Sequence, residues 1–211
     1  MRVVVIALVL AVAIPARAEP SDRAVVITGL ALAPADYLLG VTIHEGSHAL
    51  MAKLVGAEVT KVHLFPPGID PVVHKFRFGW TYVRGRMTKP ERILFYIAPK
   101  ITDGLLLGGF AALVFTDAWP SNRYAEVALT VFGTGLWVDF AKDVVLFNKH
   151  NDVSKVFHQW CMYGWKQLPA RLVYGGLAVG AGLIVAHAYV RTFDDPAVAA
   201  ARIVPVLGTR F

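Results

Sequence analysis

His44-Glu45-Gly46-Ser47-His48 puts two imidazoles and a carboxylate within five residues. On an α-helix, residues four apart sit about 40° apart around the axis and about 6 Å apart along it, so both rings project from one face. Two imidazoles so placed can hold one zinc ion, and the glutamate between them can reach water that the ion polarises. A metal lowers the pKa of such water toward about 7, and Glu45 is positioned to accept its proton. The pattern is therefore a generator of a nucleophile rather than a metal clip alone. With 7 His in 211 residues, its chance expectation is roughly 0.005 occurrences.

A catalytic zinc takes a third protein ligand and keeps a fourth position open. No His or Glu follows His48 at the offsets used by soluble relatives of this motif. The third ligand must come from another segment, and Asp103, Asp139, Asp143 and Asp152 are the candidates. Asp139 and Asp143 share a helix face beside Lys142, which also suits a buried ion-pair cluster. Lys100 precedes Asp103 by three residues, for which a helix-surface pair is a sufficient account. His63 and His74 each stand alone and read as surface histidines. The single cysteine, Cys161, excludes an intrachain disulfide framework and a cysteine zinc cluster, and its neighbours Trp160 and Met162 mark it as a packing thiol.

The elements that carry these residues follow from composition. The chain is 56% hydrophobic and 17% charged, with a mean hydropathy of +0.53. Soluble domains run about 45–50% apolar and about 25% charged, so this chain is solvated largely by lipid. Its net charge of +6 does not point to nucleic acid. Lys61, Lys75, Arg77, Arg84, Arg86, Lys89 and Arg92 cluster between apolar stretches, as cytoplasmic loops of membrane proteins do, and no nucleic-acid-binding motif accompanies them.

Residues 1–18 have the layout of a signal peptide or signal anchor, with Arg2, an apolar run, Pro15 and then Ala16-Arg17-Ala18. A polytopic membrane domain is expected over 19–192 and a tail over 193–211. Four stretches are long and apolar enough to span a bilayer, at 35–57, 93–116, 124–147 and 172–190. The first is expected to begin at Pro34. Between the first two, alternating residues at 59–65 and 76–83 predict a pair of strands in a hairpin-like element near the membrane, within about 58–86. The fold class is thus an all-α membrane protein, a helical bundle of about four mature spans with a small membrane-proximal β-hairpin. Both basic loops fall on one side, which places the inner end of the first span and its histidines toward the cytoplasm in the inner membrane of a cell envelope. Trp160, Tyr163 and Trp165 suit an interfacial belt.

With these residues in place, the chain resembles the site-2 protease family of intramembrane zinc metalloproteases. The resemblance rests on residues 44–59, HEGSHALMAKLVGAEV, on the β element that follows, on Ile97-Ala98-Pro99, and on the run from Leu146 to Asp152. It implies zinc held by His44 and His48 with Asp152 completing the site, Glu45 as the base, and Asn148 in support. Its implied activity is hydrolysis of membrane-protein or peptide substrates within lipid. Asp152 is followed by Val153 where the family carries glycine, so Asp139 stays open as the alternative third ligand. A membrane scaffold that binds metal without turnover is the other reading of the same residues. The sequence does not specify an oligomeric state.

Overall fold

In the computed structural model, residues 20–145 and 151–193 are described. The expected signal segment, Asn148 and nearly all of the C-terminal tail lie outside them. Helix α1 runs Asp22–Leu54, β1 Glu58–His63, β2 Gly68–Asp70, β3 Lys75–Arg77 and β4 Trp80–Arg84. Helices α2 (Lys89–Val114), α3 (Arg123–Val145) and α4 (Asp152–Gln159) follow, then a short 3-10 turn and α5 (Leu168–Phe193).

α1 begins twelve residues earlier than expected, and Pro34 lies inside it. Ser21 caps its start by accepting from the Ala24 amide at 3.3 Å, so the helix is nucleated upstream. Pro34 then removes only one backbone bond from a helix already fixed at both ends. At 33 residues, α1 is about 50 Å long, well beyond the about 30 Å of a hydrocarbon core. α2 starts at a capping arrangement in which the Thr88 amide donates to Glu91 at 2.7 Å, with Pro90 in the first turn.

The ends of the helices show how they alternate. Arg123, at the start of α3, donates to Asp22 at the start of α1 (2.5 Å) and to the Thr192 carbonyl near the end of α5 (3.1 Å). Arg191 of α5 reaches the Val114 carbonyl at the end of α2. α1 and α3 therefore run one way, α2 and α5 the other, in an antiparallel four-helix bundle. By length and composition, α1, α2 and the segment Gly164–Phe193 can cross a membrane. α3 is not among those three, because Asp139, Lys142 and Asp143 lower its hydropathy. It sits between α1 and α5, and Leu136 and Phe140 pack with Leu107 of α2 and Ala178 of α5. Leu172, Val173, Leu177, Val179 and Leu183 of α5 are exposed, as a lipid-facing helix requires.

The β region is richer than one hairpin. β1 and β4 pair antiparallel, with Val62 opposite Thr81 and His63 opposite Trp80, and β2 and β3 form a second ribbon between them. The expected strand over 76–83 is split, with β3 ending at Arg77 and β4 starting at Trp80. Gly79 is the break. A Cβ there would lie 2.8 Å from Val41 Cγ1 and 2.9 Å from Glu45 Cγ, so only glycine lets the chain pass so close to α1. Asp70 organises the inner ribbon: it accepts from the Val72 and Val73 amides and, at 2.5 Å, from the Tyr82 hydroxyl. Burial pushes its carboxyl up, but these donors and Arg77 outweigh burial and leave it below the usual carboxylate range. Cys161 is exposed rather than packed, at a backbone φ of 57° in the turn after α4.

Candidate metal centre

α1 carries His44 and His48 on the face turned toward α2, α3 and α4. The His48 Nδ1 atom lies 2.8 Å from the Phe95 carbonyl, which can only accept, so Nδ1 holds the proton. The His44 Nδ1 atom lies 2.9 Å from the Asp139 carboxylate, and the same reasoning applies. In the neutral rings both Nε2 atoms are then bare lone pairs. They point at a common neighbour, Asp152 Oδ2, at 3.4 Å from His44 and 3.2 Å from His48.

Three acceptors facing one another repel unless a cation lies among them. His44, His48 and Asp152 offer ligand atoms that all fall within 4.8 Å of one another and could hold a metal ion. Two ligands of a tetrahedral zinc, at about 2.0–2.1 Å each, stand about 3.3–3.4 Å apart. The two distances to Asp152 match that spacing, so the donor set fits such an ion. Asp152 is the first residue of α4, fixed there by the Asn151 cap, whose side chain accepts from the Ser154 amide at 2.7 Å. Lys155 binds its other oxygen, Oδ1, at 2.7 Å and leaves Oδ2 toward the histidines.

Asp139 stands outside this group. It takes the outward nitrogen of His44 and faces Lys100 at 3.0 Å and Lys142. The Lys100–Asp103 pair expected on a helix surface is instead buried, with Asp103 1% exposed and Lys100 4% exposed. Lys100 also lies 3.4 Å from Asp143, so one ammonium joins acids of α2 and α3. Spacing along α2 indicated the pair, but not the helix that closes over it. His63 stacks on Trp80 with centroids 3.8 Å apart, and His74 sits in the turn of the inner ribbon; neither joins the histidine pair.

Glu45 is buried and faces β4, where the Thr81 hydroxyl donates to its Oε2 at 2.7 Å. Thr81 and the Phe95 carbonyl were not legible beforehand. A threonine in a strand carries no spacing signal, and a backbone carbonyl carries no residue type at all. His44, Glu45, His48, Asp152, Thr81 and Asp139 all border one groove of about 1020 Å³ between α1, α3 and β4.

The close passage at Gly79 gives a direct test of how the ribbon is docked. Gly79→Ala is expected to lift β4 from α1, at a cost of about 1–3 kcal/mol for the added methyl. Limited trypsin digestion in micelles should then cut faster at Lys75, Arg77 or Arg84; unchanged cutting would show the ribbon is held elsewhere.

A family model described as peptidase M50B-like matches residues 3–145. The matched stretch contains His44, Glu45, His48 and Asp139 and stops before Asp152. No curated protein and no solved structure matches the chain.

Proposed function

The chain belongs to the family of M50B-like peptidases, and on that premise we propose that it is an intramembrane zinc metalloprotease acting on membrane-protein or peptide substrates. The observation that carries the reading is the convergence of the two Nε2 atoms on Asp152 Oδ2, at 3.4 and 3.2 Å, each ring held from behind. His44, His48 and Asp152 would hold the zinc, which supplies polarisation of water and of the scissile carbonyl when bound. Asp139 and the Phe95 carbonyl orient the rings from outside the ligand set, fixing each tautomer.

Glu45 is the base. Thr81 occupies Oε2 and turns the carboxylate into the groove, where it takes the proton of the attacking water and later returns one to the leaving amine. A spanning substrate helix resists hydrolysis because its backbone bonds are closed internally. An unwound substrate stretch would lie along β4, pairing as an added strand beside Trp80 and Thr81, which border the groove. β1, β4 and α4 gather at the end of the bundle that carries Lys61, Arg84, Arg86 and Lys155, and the bias of basic loops supports that end facing the cytoplasm.

Metal removal tests the reading. Detergent-purified protein should carry about one zinc per chain by elemental analysis, and a single-span reporter peptide should be cut. A chelator should stop cleavage and resupplied zinc should restore it. The same analysis reads iron, which the donor set also suits. Protein that takes up no metal after resupply would end the enzyme reading.

A further inference from the structure

Asp36 is an acid the chemistry above does not use. It lies on the α1 stripe of Gly29, Ala33, Gly40 and His44 that borders the groove, half-buried, against Gly135 of α3. A Cβ at Gly135 would come 2.2 Å from Asp36 Oδ2, so the glycine makes the space the carboxylate occupies. Asp22, Asp103, Asp139, Asp143 and Asp152 each have a Lys or Arg nitrogen within 3.4 Å. Among the described residues, no hydrogen bond or ion pair reaches Asp36. An ionisable group at membrane depth is costly unless something compensates it. Among the described residues no compensating charge lies beside it, and the open side of the carboxylate is the groove.

We propose that Asp36 is a specificity subsite that receives a lysine or arginine of the substrate segment lying in the α1–α3 groove. The proposal deepens the peptidase reading and rests on it for the occupant. Eight residues separate Asp36 from His44, about 12 Å along the helix axis. An extended segment rises about 3.3 Å per residue, so the basic residue sits about four residues from the bond to be cut. The small residues Gly29, Ala33, Gly40 and Gly135 leave width for a long cationic side chain beside the segment.

The test separates binding from cutting. Full-length protein carrying Glu45→Gln is placed in lipid nanodiscs with fluorescent Leu/Ala peptides of about 21 residues, one series with a central lysine and one with leucine there. The lysine peptide should bind about tenfold more tightly than the leucine peptide, and adding Asp36→Asn should bring the ratio near one with the leucine peptide unchanged. Equal zinc content with and without Asp36→Asn shows that the near-isosteric change leaves the bundle folded. A ratio unmoved by Asp36→Asn, no preference for lysine, or no binding of either peptide overturns the proposal. With Glu45 restored, moving the lysine by one residue should move the cut by one, and a fixed cut site would overturn the register. Failure of the peptidase reading would show separately, as absence of any cleavage while the binding ratio persists.

Discussion

Glu45→Gln should lower kcat by about 10²–10⁴-fold and leave the metal in place. Glutamine keeps the shape of the side chain and can still accept from Thr81, whose hydroxyl lies 2.7 Å from Glu45 Oε2. It cannot take a proton from water at neutral pH. None of the three ligand atoms that fall within 4.8 Å of one another belongs to Glu45, so bound zinc should stay near that of the unsubstituted protein. Cleavage of a reporter peptide and elemental analysis on one preparation give both numbers. A variant that keeps its rate removes Glu45 as the base. Loss of zinc along with activity would mean that the carboxylate holds the centre together instead.

The second large effect is at Asp152. Asp152→Ala should abolish stoichiometric zinc, a deficit beyond the about 10–100-fold in affinity that changes to outer partners of metal ligands cost. Asp139→Asn supplies the contrast. Its carboxylate touches the outward nitrogen of His44, not the converging one, so its replacement should weaken zinc only within that range. Competition against a chromogenic chelator measures both. If Asp139→Asn removes the zinc and Asp152→Ala does not, the two aspartates exchange roles. Asp152→Asn guards against a trivial cause, since it keeps the shape of the first residue of α4 and removes only its charge.

What could be read beforehand divides along physical lines. The histidine pair was legible because helical periodicity alone puts i and i+4 on one face. The helical bundle was legible because long apolar stretches leave few alternatives. The start of α1 was not, because a proline reads as a boundary unless the upstream Ser21 cap is weighed against it. The nested ribbons were missed for a different reason. Alternation from 76 to 83 looks continuous, and only the approach of α1 to Gly79 reveals why it must break. Asp139 illustrates the general limit. Its residue type suits a ligand and an outer partner equally, and the sequence does not say which ring nitrogen of His44 it faces.

The Thr81 hydroxyl joins the ribbon to α1, 2.7 Å from the Glu45 carboxylate and 3.2 Å from the Glu45 carbonyl. That contact makes the two elements thermodynamically reciprocal. Whatever favours the ribbon in its seated position also favours the aligned carboxylate, and an aligned carboxylate tightens the seat by the same factor. A peptide that extends β4 would thus prime the proton acceptor by its own arrival, and a loosely bound one would leave it idle. Selectivity could then reside in how well a segment completes a small sheet, well apart from the atoms that are cut.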